Sequence, residues 1–169
     1  MNDIAPLQAI DRQVDLQRFM GDWYVHGSIP IDFWFASEAG AHNGVETYEP
    51  RDDGKIQTTY TFRRDSFDGE EVEFNPVGWV HNTQTNAEWR MQFLWPFRSA
   101  YLIAWLADDY QHTIIGVPSR SNVWIMSRSA DVSDDDYSRL LDIVAELGHD
   151  VSLVQRVPQQ WPDSAAMRP

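Results

Sequence analysis

The stretch RFMGDWYVHGSIPIDFWF, residues 18–35, sets a glycine before a Trp-Tyr pair, alternates small and apolar positions, and ends in three consecutive aromatics. The alternation from Gly21 to Ile29 is that of a β-strand, whose successive side chains take opposite faces. No single strand buries Trp23, Tyr24, Phe33, Trp34 and Phe35 by itself, so further sheet must pack against this one.

The period of two continues to about residue 128. RDDGK (51–55) is a tight turn between VETYE and IQTTYTF, and RRDSFDGEE (63–71) is a longer polar loop. HNTQTN, WPFRSA, ADDYQ and PSRSN separate the further runs AEWRMQFL, YLIAWL, HTIIGV and VWIMSR. About eight short strands at roughly ten-residue spacing predict an antiparallel sandwich or barrel.

Then the period changes. SDDDYSRLLDIVAELGHD (133–150) begins with Ser133 as an N-cap and acidic residues in the first turn, and stops at Gly148. Tyr137, Leu140, Leu141, Val144 and Leu147 share one helical face, which predicts a single amphipathic helix on the outside of the sheet. VSLVQRV (151–157) reads as a last short strand. The chain divides into an N-terminal extension over 1–13, one domain over 14–161 and a tail over 162–169.

Composition excludes several classes of function. The 169 residues carry 13 Lys and Arg against 26 Asp and Glu, a net charge of -13 that repels a phosphate backbone and argues against nucleic acid. With no cysteine there is no disulfide, thiolate metal site or thiol nucleophile. No run of about 18 apolar residues is present. His26, His42, His81, His112 and His149 fall on different elements without ligand spacing, and no hydrolase elbow or phosphate-cradling glycine loop occurs. The expectation is a protein without catalytic residues, metal or cofactor.

GDWY after VDLQRF, then DDY at 108–110, then WIMSR ending on Arg128 and followed by one helix, together resemble the lipocalin family, in particular its bacterial outer-membrane lipoprotein and apolipoprotein-D-like branch. The resemblance spans residues 14–161. It implies an all-β fold, an eight-stranded antiparallel up-and-down barrel (a calyx open at one end) with one C-terminal α-helix packed outside. It also implies that Gly21, Asp22 and Trp23 close the bottom, that Asp109 and Tyr110 form the second motif, and that Arg128 packs over Trp23. A desolvated cation on an aromatic face contributes about 1–2 kcal/mol. Two positions depart from the branch: Val25 stands where an acidic residue is usual, and Asp108 replaces a threonine.

Strand alternation turns these anchors into a lining. Counting by twos from Asp109, inward by the resemblance, gives Trp105, Ile103 and Tyr101. Counting from Arg128 gives Met126 and Trp124. Trp89, Met91 and Phe93 face in if Arg90 and Gln92 face out. Ile114, Val25, Ile56 and Tyr60 complete the set, and Leu102, Ala104 and Leu106 take the outer face, to be covered by the helix. The three tryptophans narrow the cavity, and the two methionines suit an adaptable, chain-like guest.

The loops after the first, third, fifth and seventh strands form the mouth. They bring Phe33, Trp34 and Phe35 to the rim, either as a lid or as an apolar patch for a membrane surface or a second subunit. Arg63, Arg64, Arg98 and Arg120 share these loops with Asp32, Glu38, Asp65, Asp68, Glu70 and Glu71. Arg98, after the aromatic strand, is the first candidate to hold an anionic head group.

The expected function is non-catalytic binding or transport of a fatty acid or lysophospholipid by a monomer or homodimer. The alternatives are a lipid- or pigment-modifying barrel enzyme and an envelope interaction protein with a filled barrel. The expected setting is periplasmic or outer-membrane-associated, with any signal or lipid-anchor segment absent from this chain.

Overall fold

A computed structural model describes residues 4–33, 36–94 and 97–162. A one-turn helix α1 (Leu16–Phe19), capped by the Asp15 side chain, leads into β1 (Gly21–Ile29). A short hairpin of β2 (Asp32–Phe33) and β3 (Ala36–Ser37) follows, then β4 (Ala41–Pro50) and β5 (Ile56–Arg64), joined by the tight turn expected at RDDGK. β6 (Glu71–Phe74) and β7 (Val77–Val80) are two halves of one strand, both paired with β5. Pro76 interrupts them because a proline has no N–H for the ladder. β8 (Glu88–Leu94), β9 (Phe97–Leu106), β10 (His112–Gly116) and β11 (Val123–Ser127) complete the sheet.

Every pairing is antiparallel, and β11 returns to β1 from Tyr24↔Ser127 to Ile29↔Val123. With β6 and β7 taken as one, eight strands close into an up-and-down barrel, in which β6 pairs with β5 alone. The segment read as a last strand is mostly different. Val151–Leu153 forms a 3-10 turn capped by Asp150, and only β12 (Gln155–Arg156) pairs, with Gly27 and Ser28.

The helix α2 (Asp134–Glu146) lies outside the barrel as its periodicity requires. Ser133 Oγ accepts from the Asp136 N–H at 3.1 Å, and Asp134, Asp135 and Asp136 occupy the positive first turn. Tyr137, Leu140 and Val144 bury against Ile29, Ile114, Val123 and Ile125 on the outer face. Gly27 permits the approach: a Cβ there would sit 2.5 Å from Tyr137 Oη.

Two expectations about facing are corrected. In β9, Trp105 pairs with Ile114 while Ile103 pairs with Ile115, so Ala104 is an extra residue and the alternation flips at this bulge. Trp105 and Ile114 therefore lie outside, packed with the helix cluster, while Leu106 and Ile115 turn inward. Leu102 and Ala104 are outer as expected, but their main cover is the N-terminal segment. Leu7 buries against them, with Leu147 at the edge, and the Leu7 and Ile10 amides bond to the carbonyls of Pro118 and Ile103. Arg120 fastens this arrangement, donating to Ala5 O and Leu147 O at 2.8 Å each.

Candidate functional site

The closed end is a stack of aromatics and guanidinium groups. Gly21 has a φ of +96°, which lets the chain turn from α1 into β1. Trp23, fully buried, donates from Nε1 to Phe19 O at 2.9 Å. Arg128 lies 3.8 Å above the Trp23 ring and donates to the carbonyls of Asp22, Arg18 and Met20. Arg18 covers the Tyr110 ring at 4.1 Å, and Tyr110 Oη accepts from the Asp15 N–H. Asp109, taken as inward from the sequence, is instead exposed in the turn after β9, where it accepts from the Gln111 N–H. The strand ends at Leu106, so a turn residue has no barrel face.

Above this plug the lower barrel is filled. Phe19, Tyr48, Trp89, Tyr101 and Trp124 form a continuous series with ring centroids 5.4–5.8 Å apart. Val25, Ile56, Ile103 and Met126 are buried in the same inner cluster. Tyr48 and Tyr101 share a short hydroxyl–hydroxyl bond.

The upper barrel is open. A cavity of about 590 Å³ is lined by Ile31, Phe33, Phe74, Met91, Phe93 and Phe97, with Glu38 at its inner end and Arg98 at its rim. Below it is a crevice of about 10 Å³ bounded by Glu38, Glu46, Tyr60, Tyr101 and Trp124. Pro76, Met91 and Phe93 line both spaces and connect them. Of the candidate lining residues, Met91, Phe93 and Arg98 thus reach the main cavity, and Tyr60, Tyr101 and Trp124 reach the crevice. Phe33 is at the rim, whereas Trp34 and Phe35 of the expected lid lie outside the described residues.

The mouth arginines separate by their partners. Arg63 pairs with Glu71 at 3.2 Å, and Arg120 is committed to the carbonyls of Ala5 and Leu147. Arg64 is exposed and does not line the cavity. Arg98 does, with its guanidinium held 5.0 Å over the Trp79 ring.

Two acids inside the barrel were not singled out by the sequence reading. Glu38, expected among the mouth-loop acids, is buried, accepting at Oε2 from Trp124 Nε1 at 3.0 Å and from the Ile31 N–H at 3.4 Å. Burial pushes its carboxyl up to about 7, and these donors only partly offset the effect. Glu46, on β4, is buried too, and burial together with the charge of Glu38 raises it well above the usual range. Alternation from Tyr48, two residues on and wholly buried, would have placed Glu46 inward. Among the described residues no cluster of His, Asp and Glu is arranged to hold a metal ion.

The model of the lipocalin-like domain matches residues 14–159 of this chain. Temperature-induced lipocalin-1 of Arabidopsis thaliana is 29% identical over 160 residues, covering 86% of this chain and 80% of that protein. Outer membrane lipoprotein Blc of Escherichia coli is 28% identical over 141 residues, covering 82% and 75% respectively. Among solved structures, insecticyanin from the tobacco hornworm Manduca sexta superposes with a TM-score of 0.64 at 16% identity, covering 96% of this chain and 87% of that one. The cockroach allergen Per a 4 gives a TM-score of 0.63 at 16% identity over 99% and 100% of the two chains.

Proposed function

Since the chain belongs to the lipocalin-like domain family, we propose that it binds and carries an acyl-chain amphiphile, a fatty acid or a lysophospholipid, without transforming it. The observation that carries this reading is the apolar cavity of about 590 Å³ with one arginine, Arg98, among its described lining residues. A chain of about 16 carbons gains roughly 13 kcal/mol gross on burial at ~0.8 kcal/mol per CH₂. Association and ordering costs bring this to micromolar binding or somewhat tighter. The tail lies along Phe33, Phe74 and Phe93, and the anionic head meets the Arg98 guanidinium.

Phe33, Phe93 and Phe97 are exposed around the mouth, which suits loading at a lipid surface. A bacterial envelope is the proposed setting, supported by the relatives described as outer membrane lipoproteins. Native mass spectrometry of the purified protein, followed by denaturing extraction, tests the carrier reading. A fatty acid or lysolipid recovered unaltered supports it, and an empty protein that also ignores added fluorescent fatty acid overturns it.

A further inference from the structure

An acyl chain has no use for two carboxyl groups at the inner end of its cavity. Glu38 arrives from the segment that crosses the mouth and Glu46 from β4, and both are buried. Among the described residues neither has a basic partner. The protein bonds to Glu38 engage only Oε2. Tyr60, on the same crevice, is also buried and its hydroxyl has no hydrogen-bond partner. Oε1 of Glu38, the Glu46 carboxyl and the Tyr60 hydroxyl thus face the crevice with no positive charge beside them among the described residues and with acceptor capacity left over.

We propose that this crevice is a binding site for the primary ammonium group of an amphiphile that enters the barrel amine first. An ammonium supplies three donors and no acceptor, which is what two carboxyls and a hydroxyl oxygen require. Aromatic faces attract the same cation. Size favours a small amine: about 10 Å³ is open to the centre of a water-sized group, which suits –NH₃⁺ better than the bulkier trimethylammonium. Glu38, Pro76, Met91 and Phe93 line both spaces, so the alkyl body extends from the crevice into the main cavity. A fatty acid takes the opposite orientation, because its carboxylate is repelled at this end.

This inference rests on the cavity being a ligand site and adds a second pole to it. The titratable groups facing the crevice are Glu38, Glu46, Tyr60 and Tyr101, with Tyr48 behind Tyr101; burial holds the three phenols neutral. The same burial favours the protonated form of both carboxyls, holding Glu38 up at about 7 and pushing Glu46 well above the usual carboxylate range. An entering ammonium displaces a carboxyl proton to bulk water and leaves a carboxylate–ammonium pair.

The test is isothermal calorimetry at about pH 8 with dodecylamine, dodecanol and dodecyltrimethylammonium, in two buffers of different ionisation enthalpy. Dodecylamine should bind at least about tenfold more tightly than the other two and release a proton. Glu46→Gln and Glu38→Gln should each weaken dodecylamine by more than they change dodecanol, so that the preference for the amine narrows. Should either variant fail to fold, the proton release and ligand ranking of the native protein decide. Dodecanol binding as tightly as the amine, with no proton released, overturns the amine site and leaves the carrier reading standing. If none of the three binds, the carrier reading fails with it.

Discussion

The indole Nε1 of Trp124 donates to Oε2 of Glu38 across 3.0 Å, tying the last barrel strand to the segment that crosses the mouth. One carboxyl thus serves as a strut between two elements and as the boundary between a large apolar cavity and a small polar crevice.

A pH dependence of stability follows from that carboxyl. Its folded pKa is raised from 4.5 to about 7, so the folded state holds the proton more strongly than the unfolded chain. Stability therefore falls as pH rises between these values, by an amount on the order of 3 kcal/mol when complete. Glu38→Gln should be stabilising at about pH 8 and close to neutral at about pH 5 by urea denaturation. Equal effects at both pH values would show that the carboxyl does not titrate in this window. His26 and His149, lowered by burial, act in the acid direction, and the comparison of variant with native protein at each pH cancels them.

Arg128→Ala should lower stability by about 2–4 kcal/mol, since it removes donors to three carbonyls and a cation from the Trp23 ring. Arg128→Lys should recover less than half of that, because an ammonium cannot reproduce the planar fork. Denaturant midpoints of the two variants check this, and full recovery by lysine would reduce the role of Arg128 to its charge.

Gly27→Ala should cost about 1–3 kcal/mol by pressing a methyl into Tyr137, 2.5 Å from Oη. Tyr137→Phe in the same chain should restore part of the loss. A double-mutant cycle measures the coupling, and strict additivity would mean that α2 shifts to make room.

Arg98→Ala should weaken a fatty acid by about tenfold and its methyl ester much less, the loss of a charge-assisted bond at a solvated rim. Fluorescence titration of the pair distinguishes this from a packing effect, in which acid and ester weaken together.

Much of the architecture was readable because it is written in alternation and in three spaced motifs: Trp23 and Arg128 meet across the closed end although 105 positions separate them (128 minus 23). Facing was lost where alternation itself breaks. Ala104 is an ordinary residue in a strand, yet it is bulged, and Trp105 passes to the outside. Neighbouring Ile114 and Ile115 are equally apolar and give no sign of which face each takes. The inner acids escaped for a different reason. A carboxyl in a loop, as at Glu38, or in a strand, as at Glu46, reads as solvent-facing by default, and only the burial of Tyr48 two positions later argues otherwise for Glu46.

Arg120 holds two carbonyls that are far apart in the chain, Ala5 in the N-terminal segment and Leu147 at the end of α2. The barrel thus wears a belt, its two straps drawn from the N-terminal segment and from α2 and fastened at one buckle in the β10–β11 turn. Releasing the buckle frees both straps at once, so Arg120→Ala should loosen the N-terminal segment and the end of α2 together. Amide exchange would then rise in both places while the barrel strands stay protected.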